Sequence, residues 1–160
     1  MRSESRVQPR TFVLFAVAGV AAVVLVLVVV TWVIPRLDVP VRFWGSPIRV
    51  VTVDGRELRV VEVEYSSGLR HTDSLGGLDG ALFRFAQPLS TGKGMGMAGT
   101  LMDLDVVFFD PDRRAIDRHT MTVCTTQDCP GYYPSRRWQY AIEEPAGALE
   151  WVREGALLEL

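Results

Sequence analysis

One uncharged run, TFVLFAVAGVAAVVLVLVVVTWVI from Thr11 to Ile34, limits what the first part of this chain can become. As a helix it is about 36 Å long at about 1.5 Å per residue, against a bilayer hydrocarbon core of about 30 Å. Valine is a mediocre helix former in water. In lipid every backbone group must bond within the segment, so helix is the form expected there. Trp32 stands near one end, where amphipathic rings prefer the interface. The alternatives are a buried core helix and a cleaved signal peptide. Ala16-Val17-Ala18 has the small-x-small form of a cleavage site. Few apolar residues precede it and many follow, so residues 11–34 read as an uncleaved signal anchor.

Arg2, Arg6 and Arg10 precede this segment and Arg36, Arg42 and Arg49 follow it, so the positive-inside comparison is close to a tie. The short tail, residues 1–10, is easily retained. It is therefore expected in the cytoplasm, with everything after the anchor outside. The expectation is a single-pass cell-membrane protein whose partner through residues 11–34 is the lipid bilayer.

Residues 35–47, PRLDVPVRFWGSP, carry three prolines and one glycine and read as a short, stiff spacer. The folded domain is expected over residues 48–160. Net charge is −2 and no long basic run occurs, which argues against nucleic acid as a partner.

The domain reads as strands. IRVVTV (Ile48–Val53) and ELRVVEVEY (Glu57–Tyr65) flank Asp54-Gly55, a strong hairpin signal because both turn residues need positive φ. ALFRF (Ala81–Phe85) is a short strand. LDVVFF (Leu104–Phe109) suits a strand buried on both faces. Asp110-Pro111-Asp112-Arg113 is a turn, and Arg114–Val123 and Arg136–Glu143 are further strands. ALLEL closes the chain as another. SSGLRHTDSLGG (Ser66–Gly77) reads as a short helix or loop, and AGALEWVREG (Ala146–Gly155) as a short helix. The fold class is thus mainly β (α+β): a compact mixed sheet or half-open barrel with one or two short helices, after the transmembrane helix.

GMGMAG, Gly94–Gly99, fits the dinucleotide fingerprint G-x-G-x-x-G. That fingerprint needs a strand before it and a helix after it, because the helix N-terminus holds the pyrophosphate. Here a loop, PLSTGK, precedes and a strand pattern follows. No phosphate-binding G-x-x-x-x-G-K-[ST] occurs either. No nucleotide or other cofactor is expected. The stretch reads as a flexible loop entering a central strand.

The residues after these glycines carry a resemblance. TLMDLDVVFFD, Thr100–Asp110, resembles the central F-W-M-K-N-T-x-x-P-L-D-x-x-F-x-D motif of the domain of unknown function 192 family, with Met97, Thr100, Leu104, Asp105, Phe108 and Asp110 on matching positions. Four more pieces align in order. SSGLR (Ser66–Arg70) is similar to E-R-x-x-G-L-M, and GALFRF (Gly80–Phe85) to G-M-L-F-x-F. CPGYYP (Cys129–Pro134) is similar to C-P-x-Y-x-P, and WQYAIEEPAG (Trp138–Gly147) to Y-x-L-E-x-P-A-G. The family's aromatic-Met-Lys-Asn is replaced by Gly96-Met97-Ala98-Gly99, and its Pro by Asp103. The resemblance implies a compact β-rich fold and no established activity.

Cys124 and Cys129, in CTTQDC, are close enough to pair in an oxidising compartment. Free thiols, or a zinc site completed by His119, are the alternatives. No metal is expected, because a fourth ligand is not obvious. Asp105 interrupts an apolar strand, and a charge there is costly unless bonded. Its expected donors are amides of the preceding loop, the Thr100 hydroxyl or Arg70. Arg70, Thr100 and Asp105 thus form a candidate polar cluster, structural or functional. Asp103, Asp110 and Asp112 lack the glycine and closing glutamate of a calcium loop. Glu143 and Glu144 would face opposite ways on a strand. His71 and His119 have no triad neighbour in sequence. Tyr132, Tyr133 and Trp138 are candidate ligand-facing aromatics, near Arg136, Arg137 and Tyr140. The preferred reading is that Trp138 and Tyr140 fill the core from one strand face.

No catalytic constellation assembles in the sequence. The expectation is a binding or accessory module at the cell envelope, with an envelope polymer or a membrane protein as partner. The alternatives are a hydrolase-like envelope enzyme centred on Asp105 and the Gly94–Gly99 loop, and a subunit of a membrane complex. An open polar pocket exposing Asp105 would favour the enzyme; a sealed, bonded Asp105 would favour the module.

Overall fold

The computed structural model describes Pro40, residues 43–126 and residues 128–160. The tail, the apolar segment 11–34 and most of the spacer lie outside the described residues. Among those described, no helix is long and apolar enough to cross a membrane.

Among the described residues nine strands form: β1 (Ile48–Val53), β2 (Arg56–Glu62), β3 (Gly80–Leu89), β4 (Met95–Gly96), β5 (Leu104–Phe109), β6 (Ala115–Met121), β7 (Gly131–Tyr132), β8 (Trp138–Pro145) and β9 (Leu158–Glu159). Seven make one curled, half-barrel sheet in the order β6-β5-β8-β3-β2-β1-β9, and β4 pairs with β7 in a two-stranded ribbon. The β1–β2 hairpin closes through Asp54 (φ 47°) and Gly55 (φ 80°), the doubly left-handed turn its sequence demands. Asp110 Oδ1 accepts from Arg114 N in the β5–β6 turn.

β2 and β3 are parallel. A parallel pair needs a long crossover, and the chain between Val63 and Asp79 supplies it. That crossover carries Ser66–Arg70.

β5 is buried at every position. Its pleat sends Leu104, Val106 and Phe108 into one apolar cluster with Phe83, Met97 and Trp138. Val107 and Phe109 enter a second cluster with Val51, Ile142 and Leu149. Phe43, from the sequence assigned to the spacer, is buried in the first cluster.

Among the described residues almost no helix forms, which corrects the one or two short helices expected in the domain. Gly68 (φ 49°), His71 (φ 57°) and Gly76 (φ 61°) interrupt Ser66–Gly77 with left-handed residues that an α-helix does not admit. In Ala146–Gly155, the Asp105 carboxylate takes the amides of Gly147 and Leu149. The segment instead folds into successive turns, with Ala148 N bonded to Pro145 O and Val152 N to Leu149 O.

Candidate functional site

Asp105 is fully sealed, at 0% exposure. Its pleat position is that of Val107 and Phe109, on the face covered by the turns after β8. Oδ1 accepts from Thr120 Oγ1 at 2.7 Å, and Oδ2 from Gly147 N at 2.9 Å and Leu149 N at 3.2 Å. The expected donors are replaced: these three bonds come from β6 and the 146–149 turn. Thr100 and Arg70 instead line a cleft to which Asp105 contributes nothing.

That cleft has a volume of about 320 Å³ and gathers four segments far apart in sequence: Tyr65–Arg70 of the crossover, Phe83 of β3, Gly94–Thr100, and Glu143 of β8. Backbone bonds hold the crossover and the Gly94–Thr100 segment together, from His71 N to Gly99 O at 2.6 Å and from Leu101 N to Thr72 O at 3.0 Å. The hydroxyl-bearing Ser66, Ser67 and Thr100 stand on its walls with Arg70, and Glu143 belongs to the sheet behind them.

The glycine-rich stretch is pinned on several sides, so the flexible loop expected there is corrected. Met95 and Gly96 pair with Tyr132 and Gly131. Met97 is buried in the core, and Ala98 bridges to Cys124. Tyr65 Oη donates to Gly94 O. A Cβ at Gly94 would sit 2.2 Å from Tyr132 O, so glycine is required there by close backbone approach. Gly99 has φ of +79°. The glycines serve the chain's own path, and β5 follows with no helix to receive a phosphate.

Glu143 and Glu144 face opposite sides of the sheet, as strand period requires. Glu143 lies between Ala81 of β3 and Val106 of β5, both in the first cluster. It is 4% exposed, and burial pushes its carboxyl up to about 8. At neutral pH it is an un-ionised acid, able to donate as well as accept. Glu144 pairs with Asp105 across the ladder. Burial, then the charges of Asp79 and Asp105, raise it to about 7 against the opposing pull of Arg56. Its Oε1 is buried without a hydrogen-bond partner.

Cys124 and Cys129 form a disulfide with Cα atoms 5.7 Å apart. Their sulfurs are bound to each other, which removes the thiolates the zinc alternative needed. Among the described residues, no group of three or more metal-ligating side chains is positioned to hold an ion. Trp138 is at 0% exposure, packs edge-on against Phe85 and Phe108, and donates Nε1–H to Lys93 O. It is a core residue and presents no ring face to a ligand, correcting its place among the candidate aromatics. Tyr132 is half-buried, beside His119, and its hydroxyl accepts from Thr122 N. Tyr133 is 54% exposed, and its ring lies against Gly94.

Tyr65 was missed as a site residue. It is 41% exposed at the rim, and burial together with the neighbouring Tyr133 phenol raises its hydroxyl. Tyr65 and Tyr133 thus converge on Gly94 from two sides. Glu143 could have been found from its position in WQYAIEEPAG, an acid on the inward side of a strand. Nothing local marks Tyr65, because its role depends on where the crossover lands.

The profile of the family DUF192, described as an uncharacterised ACR, matches residues 55–160. No curated protein matches this chain. Two solved structures are similar to it. One is a protein of unknown function from Novosphingobium aromaticivorans, with TM-score 0.63 and 21% identity over 72% of this chain and 87% of that one. The other, from Sinorhizobium meliloti, is described there as a proposed transcription regulator; its TM-score is 0.60 and identity 22%, over 71% of this chain and 94% of that one. At these identities the likeness shows the fold alone.

Proposed function

Since the chain belongs to the DUF192 family, whose members have no assigned activity, we propose that it is a binding module of the cell envelope. Residues 11–34 tether it to the membrane, and the domain faces the extracytoplasmic side. Its ligand is a small polar group held in the Glu143 cleft. The observation that carries this reading is the convergence of Arg70, Thr100 and the buried Glu143 on one open cleft, while Asp105 is sealed. The Cys124–Cys129 disulfide supports an oxidising address.

A second reading, acid catalysis, draws on the raised Glu143 carboxyl, since an acid poised near neutrality suits proton transfer. Glycoside hydrolysis usually needs two carboxyl groups. Among the described residues lining the cleft, Glu143 is the one carboxylic acid. Binding is therefore the reading the chemistry favours. A membrane-protein partner also belongs to the proposal, because Trp44, Ile48 and Val50 are exposed close to the start of the globular unit.

Two experiments test this. Alkaline carbonate extraction, with a topology reporter after Leu160, is expected to leave the chain in the membrane with the reporter active outside. Release into the aqueous fraction, or a reporter active only in the cytoplasm, overturns the address. An NMR screen of small polar compounds against the solubilised full chain is expected to perturb Arg70, Thr100 and Glu143 together. A screen in which no compound perturbs them overturns the binding site.

A further inference from the structure

Resting on the binding reading above, we propose that the ligand is a chain of uncharged sugar rings, lying in a groove that leaves the Glu143 cleft at Tyr65 and runs to Arg84 and Phe85.

The groove follows from two hollows that share a wall. A second depression of about 380 Å³ is lined by Glu64, Tyr65, Arg84 and Phe85. Tyr65 also lines the cleft, so the two hollows have this residue in common. Each hollow is the size of a small-ligand site. Joined end to end they suit a ligand of repeated units.

Tyr65 is a fixed platform at that junction. Its ring stands edge-on to Phe85, with centroids 5.5 Å apart, and 6.4 Å from Trp138. Its hydroxyl is tied to Gly94 O. The ring stays partly open to solvent while its position is set from both ends. A rigid aromatic face of this kind packs against the C–H face of a sugar with little entropy to lose. Tyr133 offers a second exposed ring beyond Gly94. Ser66 and Thr100 line the cleft with hydroxyls that can donate and accept, as sugar hydroxyls do, while the Ser67 hydroxyl already donates to Glu64 O.

Charge selects among polymers. Glu62 and Glu64 line the outer hollow, and Glu62 is already engaged by Arg49. Arg84 in the same hollow offsets the Glu64 carboxylate, so the hollow carries no net charge to attract a polyanion. An apolar peptide would leave the cleft hydroxyls unmatched.

The test is calorimetric titration of the detergent-solubilised full chain with two probe series, cello-oligosaccharides and chito-oligosaccharides, from the single sugar to the hexasaccharide. In at least one series affinity is expected to rise about tenfold with length before it levels off, the gain of one added stacked or bonded ring. Arg84→Ala is expected to abolish the rise of affinity with length. Tyr65→Ala is expected to weaken every member, and Tyr65→Phe, which keeps the ring, to restore most of the loss; thermal melts check that each variant folds. Affinity independent of length overturns the groove and leaves the binding module standing. If neither series binds while small polar compounds still perturb the cleft, the sugar class is wrong. If nothing perturbs the cleft, the binding reading fails with it.

Discussion

Asp105 on β5 and Glu144 on β8 are partners across the ladder, and their oxygens are treated oppositely. Asp105 accepts three hydrogen bonds, from Thr120, Gly147 and Leu149. Glu144 leaves Oε1 buried with none. One acid organises the turns that cover this face, and the other is held toward its neutral form beside it.

Asp105→Ala is therefore expected to destabilise the domain by about 2–4 kcal/mol. Without the carboxylate the buried N–H groups of Gly147 and Leu149 lose their acceptor. Thr120→Ala removes one bond and is expected to cost about 1 kcal/mol. Urea denaturation measures both. Equal effects would show that the turn amides do not depend on the carboxylate.

Stability is expected to fall as pH rises from about 4.5 to about 8. Glu143 and Glu144 are raised to about 8 and about 7 in the folded state, from 4.5 when unfolded. Between those values the native chain binds more protons than the unfolded chain, so alkali favours unfolding. Below pH 4.5 both states are protonated and this term disappears. Glu143→Gln is expected to reduce the slope throughout and abolish it between about 7 and about 8, and Glu144→Gln to reduce it between 4.5 and about 7 only. Melting temperatures across the range read it out; identical slopes in wild type and the double variant would refute the assignment.

Gly94 and Gly96 are expected to respond differently to alanine. A Cβ at Gly94 meets the Tyr132 carbonyl, whereas at Gly96 it meets nothing within 4 Å. Gly94→Ala should cost about 1–3 kcal/mol, as overpacking does. Gly96→Ala should stay within about 0.5 kcal/mol. Chemical denaturation separates them, and a harmless Gly94→Ala would mean that β4 and β7 do not approach this closely.

Reduction of Cys124–Cys129, or the paired Cys→Ser variant, is expected to cost about 2 kcal/mol, the chain-entropy value for a small ring. The fold should survive. Because Cys124 bridges to Ala98, the readout that matters is the cleft: NMR shifts of Ala98 and Thr100 should move on reduction. Unchanged shifts would mean that the ring pins only itself.

Much of the sheet was legible in the letters. β1 and β5 have the bounds their residue patterns indicate, and the Asp-Gly turn closes the hairpin expected of it. These are local matters of β-branched runs, turn residues and pleat period. The two short helices were illegible as turns. Helical composition was overridden at Gly147 and Leu149 by an acid 42 and 44 residues away in sequence. The candidate cluster was half legible. Arg70 and Thr100 share a cleft, but Asp105 faces the other side of its strand, and the cleft's acid is Glu143.

By itself the sequence determined the β1–β2 hairpin, the central strand β5, where the tightest turn falls and that Asp105 must be bonded, because backbone sterics and the penalty on a buried charge act within a few residues. Which groups bond Asp105, which acid reaches the cleft and which tyrosine stands at its rim were decided by the tertiary structure. The reason is geometric: the parallel β2–β3 crossover brings Tyr65–Arg70 onto the Gly94–Thr100 loop, and no local preference encodes where that crossover lands.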